Sequence, residues 1–300
     1  MALRREPPAV VRRQLAEEVG FGCPVGGCGS PYLTWHHFDP PWFKRHHHDP
    51  GGMVAVCRDH HPEADAGAFT VEELREFKRM GRDRSQALGA RFNWMREELL
   101  AVVGGNFCLN THIALRVQDL PVVWFNREAS GRLLVNLQML STSGKPRLLM
   151  LDNFWLTEGS DEREIVCPPS GRLVSAKYPN GDRLKVEFRE VASVEEFDRR
   201  YPPPKLPAHL TRRFDARGMP VPDLPRSHAE SLATYGVEFP IATVEITMEI
   251  AGTGIRLGPR QTEIATNVFA GCWMNGAEVG FQLGEPSEDS APPPPTERAA

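Results

Sequence analysis

No run of apolar residues in this chain approaches the length that crosses a bilayer. The opening residues, Met1-Ala-Leu-Arg-Arg-Glu-Pro-Pro, carry no apolar signal segment. No membrane partner is expected, and the expected localisation is cytoplasmic. An excess of one charge is also lacking: 35 Lys and Arg stand against 39 Asp and Glu, a net charge of −4. Whole-chain electrostatics therefore do not advertise nucleic-acid binding, which leaves only a local basic surface for that purpose. Cysteine is scarce, at six in 300 residues, and does not read as a disulfide framework. Cys108, Cys167 and Cys272 are scattered through apolar or strand-like contexts, as expected of buried free thiols. No internal repeat points to a solenoid or propeller.

What is present is long enough for two domains and a substantial core. The periodicities predict an α+β chain in four parts: a metal-stabilised module over 1–70, a helical linker over 71–104, a β-rich domain over 105–284 and a disordered tail over 285–300. In the first part, residues 8–19 read as a helix, 32–37 as a strand, 53–57 as a second strand and 59–65 as a short helix. Thr70 and Glu73 form a capping box for the next helix, expected to run to Leu100 with a break near Gly81. Beyond Leu115 the period changes to two, as in a mainly antiparallel sheet folded as a sandwich or roll. Asn180-Gly181 is the strongest hairpin signal, and Ala251-Gly-Thr-Gly turns the alternating strand at 244–250 back on itself. Residues 201–227 are proline-rich and read as irregular.

Seven of the ten histidines lie between residues 36 and 61, with Cys57 among them and Cys23 and Cys28 just ahead. Cys23 and Cys28 occupy a glycine-rich knuckle, and Cys57 and His60 stand three apart where a strand gives way to a helix. Four soft or borderline ligands that exclude water suffice for a structural Zn2+, and a module of this size needs such a staple. Once those four are assigned, His36, His37, His61 and Asp65 remain. His61 and Asp65 are four apart and share a helix face. His36 and His37 are adjacent on a strand and point in opposite directions. One of them can hold a metal while the other does base chemistry, for which a neutral imidazole is suited near pH 7.

The order Cys-x4-Cys, Trp35-His-His, a loop, then a short strand ending in Cys57-x2-His60-His61, resembles the HNH endonucleases over roughly residues 5–70. The resemblance implies a ββα-metal finger above a structural zinc. It implies hydrolysis of DNA phosphodiesters, leaving a 5′ phosphate, with His37 as general base. His36 and His61, and also Asp65, would hold a catalytic divalent cation. A mixed His/Asp site suits Mn2+, Ni2+ or Zn2+ better than Mg2+. The family's central Asn is missing: no Asn occurs between Gly20 and Asn93, and Gly52 stands about where it is expected. The loop offers His46, His47, His48 and Asp49 instead, and Asp49 or His47 is available to orient the base or bind the metal.

Arg75, Lys78, Arg79 and Arg82 have helical spacing and could hold a nucleic-acid backbone. The interleaved Glu72, Glu73 and Glu76 equally fit a salt-bridged, solvated face. Trp35, Trp42 and Phe43 are either base-stacking or core aromatics. DNA is the expected partner, with RNA also compatible. The β-rich domain could target DNA, bind a signal or protein, or drive homo-oligomerisation. As an architecture this suggests defence against foreign DNA, with the β domain as sensor or oligomeriser. The competing reading is a catalytically inactive, zinc-stabilised nucleic-acid-binding protein.

Overall fold

A computed structural model describes residues 3–82, 87–144, 147–157, 163–202, 228–265 and 267–284. The fold is mixed α and β, with few helices and a large, mainly antiparallel β region. The tail over 285–300 and the proline-rich stretch from 203 to 227 lie outside the described residues. No helix among the described residues is long and apolar enough to cross a membrane.

The N-terminal part consists of helix α1 (Ala9–Glu18), strand β1 (Leu33–His37), strand β2 (Met53–Cys57), helix α2 (His60–Asp65) and helix α3 (Val71–Met80). The strands pair antiparallel, with Leu33 opposite Cys57 and His37 opposite Met53. All of β2 is buried, because the helices cover the hairpin. Its Met53, Val54, Ala55 and Val56 share a core with Leu15 of α1, Val19 just after it, Ala64 of α2 and Leu74 of α3. The capping box forms as the sequence predicts: the Thr70 hydroxyl accepts from the Glu73 amide, and the Glu73 carboxylate accepts from the Thr70 amide.

The helix does not run on to Leu100. It stops at Met80, where Gly81 takes φ of 57° and its amide closes on the Phe77 carbonyl. Leu88–Arg91 is instead a strand on Phe154–Thr157, and Leu100–Val103 pairs parallel with Thr243–Ile246. The expected helical linker over 71–104 is thus helical only at its start, and its second half belongs to the β region. Pairing with strands far along the chain overrides the local helical pattern there.

One sheet runs in the spatial order Val279–Leu283, Ile113–Val117, Leu120–Arg127, Leu133–Gln138, Leu149–Leu151, Phe154–Thr157, Leu88–Arg91. The other is built around Arg183–Val191 and Ile241–Ile250, which pair over nine residues. The Asn180-Gly181 hairpin forms, with Gly181 at φ of 95° between Leu173–Lys177 and Arg183–Val191. The turn at 251–254 returns the chain into Ile255–Leu257. Val123, Val135, Leu137 and Trp155 of the first sheet share one core with Val186, Phe188, Val244 and Ile246 of the second. Cys108 and Cys167 are buried free thiols, whereas Cys272, expected to be buried, is exposed.

The two parts are joined by more than sequence. Gly20 and Phe21 both take left-handed conformations after α1, at φ of 65° and 61°. Their amides close on the Glu17 and Ala16 carbonyls. The turn delivers Phe21 into the core of the β region, where it is 5% exposed. The Tyr32 hydroxyl donates to the Arg91 carbonyl at 3.0 Å, and Arg13 pairs with Glu164 at 3.3 Å.

Candidate metal centre

The hairpin register sets the plan of the site. Cys57 lies at one end of the two-stranded sheet, and the pair His36-His37 at the other. Helix α2 begins three residues after Cys57 and runs back along the hairpin, so one short helix serves both ends.

At the first end, Cys23, Cys28, Cys57 and His60 bring their ligand atoms within 4.8 Å of one another. Cys28 Sγ is 3.8 Å from Cys57 Sγ, and Cys23 Sγ is 3.5 Å from His60 Nδ1. A tetrahedron with metal–sulfur bonds of about 2.3 Å and metal–nitrogen bonds of about 2.0 Å has sulfur–sulfur edges of about 3.8 Å and sulfur–nitrogen edges of about 3.5 Å. The donor set fits a metal ion such as zinc. Burial pushes the Cys23 thiol up to about 12 and raises Cys28 as well. Without a cation these thiols stay protonated, and the charge of a metal is what makes thiolate ligands of them.

At the second end, His36, His61 and Asp65 form a separate cluster, also with donors within 4.8 Å. His36 Nδ1 is 3.1 Å and His61 Nε2 is 3.7 Å from the Asp65 carboxylate. The match of strand to helix explains the convergence. Thr34 and His36 point to one face two residues apart, a rise of about 6.6 Å. His61 and Asp65 are four apart on α2, a rise of about 6 Å. Thr34 therefore meets His61, and His36 meets Asp65.

Thr34 also decides the His61 tautomer. Its hydroxyl donates to the Val56 carbonyl at 3.0 Å, so at 2.8 Å it accepts from His61 Nδ1–H. The lone pair of His61 is then on Nε2, which faces the cluster, is buried and has no hydrogen-bond partner. Burial lowers the pKa of both His36 and His61, with Asp65 opposing, so neutral imidazole is favoured. The Asp65 side chain is 46% exposed. The first cluster is closed by four ligands, and the second offers three with an open side. That contrast separates structural from catalytic metal sites.

His37 faces the other way, as strand alternation requires. Its ring packs on Trp42 and, edge-on, on His47. His37 Nε2–H donates to the His47 backbone carbonyl at 3.1 Å, which places the lone pair on Nδ1. Nδ1 is buried and has no hydrogen-bond partner. Burial, followed by the neighbouring His47, pulls the His37 pKa down to about 4. The Arg5 guanidinium also lowers His36, His37 and His61. It lies 3.3 Å from both Asp65 carboxylate oxygens.

The remaining loop residues are not brought to the cluster. Both ring nitrogens of His47 are engaged: Nδ1 accepts from the Asp49 amide at 3.1 Å, and Nε2 donates to the Pro40 carbonyl at 2.9 Å. Asp49 caps the turn at Pro50–Gly52 by accepting from the Gly51 amide. Gly52 has no room for a side chain. A Cβ there would collide with the Asp39 carbonyl and lie 2.9 Å from His47 Cε1. The Gly52 carbonyl accepts from the Phe38 and Asp39 amides.

The four cations expected at helical spacing are all engaged, and Arg82 lies beyond the end of α3. Arg75 pairs with Asp39 and Glu72, Lys78 with Glu18, and Arg79 with Glu76. Arg82 donates to the Ala87 carbonyl at 2.6 Å and lies against Gly22 and Gly29 of the knuckle. This favours the salt-bridged face. Sequence reading missed Thr34 and Arg5. Strand alternation from His36 would have placed Thr34 on the metal face, whereas nothing local marks Arg5, sixty residues from its partner. The chain matches no protein-family profile, no curated protein and no solved structure.

Proposed function

We propose that this protein is a metal-dependent HNH-type endonuclease that hydrolyses DNA phosphodiester bonds. The observation that carries the reading is the open cluster of His36, His61 and Asp65, which shares one hairpin and one helix with the closed cysteine-histidine cluster. On the opposite face of the same strand lies a neutral histidine, His37, with a free lone pair on Nδ1.

His36, His61 and Asp65 would hold a divalent cation, which would supply positive charge against the negative charge that builds up during hydrolysis. His37 Nδ1 takes a proton from water as its oxygen bonds to phosphorus, and the bond to the 3′ oxygen breaks. The departing 3′ oxygen takes a proton from solvent water, and the products are a 5′ phosphate and a 3′ hydroxyl. The His47 carbonyl holds His37 in the required tautomer and stabilises the imidazolium that forms. Thr34 orients His61, and Arg5 neutralises part of the charge on Asp65.

One observation favours the inactive, nucleic-acid-binding reading: His37 is 3% exposed and packed against Trp42, so water must enter for it to act. Plasmid nicking by the full-length protein with Mg2+, Mn2+ or Ni2+, beside His37→Ala, decides between the two. Metal-dependent nicking should fall by about 10²-fold or more in the variant. Equal nicking by both proteins, or none with any of the three cations, would remove the nuclease reading.

A further inference from the structure

The loop that supplies the hydrogen-bond partner of His37 also carries the most exposed large apolar side chain among the described residues. Phe43 is 81% exposed. Lys44 and Arg45 follow it, both exposed, and among the described residues neither has an ion pair or a side-chain hydrogen bond. The contrast with α3 is direct, since its Arg75, Lys78 and Arg79 are each engaged by a carboxylate.

The loop is held in place. The Lys44 and Arg45 amides both donate to the Pro41 carbonyl, at 2.9 and 3.2 Å. The Trp42 ring stacks on His46, with centroids 4.5 Å apart and planes at 15°, and on His48 at 5.7 Å and 25°. Phe43 is thus pushed outward by a turn whose interior is filled by its neighbours. A fixed, exposed aromatic beside two free cations is the chemistry of a strand-binding surface: bases stack on the ring, and phosphates meet the cations. Stacking on a ring needs a base whose face is free, which an intact duplex does not offer without unstacking a step.

We propose that Phe43, Lys44 and Arg45 form the substrate-contacting surface of the site and select a nucleic-acid strand with unpaired bases. The inference rests on reading the adjacent cluster as a phosphodiesterase, and it names the substrate class of that site. Through His47 the bound strand and the base share one rigid loop, so the scissile phosphate is presented beside His37.

The test uses the full chain in a His37→Ala background with no added divalent cation, so that binding is read without cleavage. The probes are a fluorescein-labelled oligothymidylate and a duplex of matched length, followed by anisotropy across a salt series. The single strand should bind more tightly than the duplex. Phe43→Ala should weaken single-strand binding by about tenfold. Phe43→Trp should retain it, with indole emission quenched on binding. Lys44→Ala with Arg45→Ala should reduce the slope of log affinity against log salt by about 1.4, or about 0.7 per phosphate contact. Arg79→Ala, whose cation is already paired with Glu76, should change neither quantity. Equal binding by Phe43→Ala and its parent, at an unchanged melting temperature, would overturn the proposal. So would equal affinity for the duplex. Binding that depends on Phe43 in a protein that never nicks DNA retains this inference and removes the nuclease reading. Nicking with binding indifferent to Phe43 does the reverse.

Discussion

His37 and His47 are joined side chain to backbone: the Nε2–H of the first donates to the carbonyl of the second at 3.1 Å. The His47 ring has both nitrogens occupied within its own loop. The position of the carbonyl is therefore fixed by the loop, and the orientation of His37 is fixed by the carbonyl.

Gly52 controls that loop from the other side. A methyl group there would press on the Asp39 carbonyl and the His47 ring. Gly52→Ala should lower stability by about 1–3 kcal/mol through overpacking. It should also reduce nicking more than it reduces single-strand binding, because it moves His47 while Phe43 points away. Urea unfolding and nicking on the same preparation check this. An unchanged unfolding midpoint would show that the loop absorbs the methyl group.

Thr34 offers a way to loosen one metal site and spare the other. Thr34→Val removes the hydroxyl that accepts from His61 Nδ1 and keeps the shape. Affinity for a cation at the His36, His61 and Asp65 cluster should fall by about 10–100-fold, measured by calorimetric titration with Mn2+. The tightly held zinc, through Cys23, Cys28, Cys57 and His60, should be unaffected by metal analysis. Loss of both metals together would mean that Thr34 serves the hairpin and not the cation.

Purified protein should carry about one tightly held zinc per chain. Cys28→Ser should lose most of it and lower the melting temperature, although Cys28 is exposed and contributes little packing. A strong chelator should reproduce that shift in the parent protein and cause none in the variant. Full zinc content in Cys28→Ser would show the ligand set to be wrong.

Asp182 gives a pH dependence that involves neither cluster of candidate metal ligands. It is fully buried and accepts from the Arg147 guanidinium at 3.2 Å, Asn180 at 2.8 Å, the Ala251 amide at 3.0 Å and Ser141. Burial alone would raise its pKa, but these donors more than offset it and the net shift is downward. A depressed carboxylate contributes stability above its unfolded value of about 3.9, and that contribution is lost as pH falls through the folded value. Asp182→Ala should cost about 3–5 kcal/mol at neutral pH and flatten the acid limb of the stability profile. An acid limb of the parent's steepness in the variant would assign it to other carboxylates.

The features legible in the sequence are those whose determinants are local. Cys57 and His60 sit three apart on either side of a strand end, and Thr70 with Glu73 announces a cap, so both arrangements follow from spacing. Leu88–Arg91 is a strand because Phe154–Thr157 lies beside it, and no window around residue 88 contains that information. The His47 carbonyl was beyond reach for a different reason: every residue has one, so its use leaves no mark on the sequence. The Asn that a resemblance to HNH endonucleases would place near residue 52 has no room there, since the Gly52 site has no space for any side chain.

Phe21 leaves the N-terminal part and fills a place in the core of the sheets. The N-terminal part is therefore not a portable cassette. Excision after Met80 would carry an uncovered phenylalanine into water and leave a phenyl-sized hole in what remains. Transplanting the metal ligands onto another protein would require transplanting a socket for that ring as well.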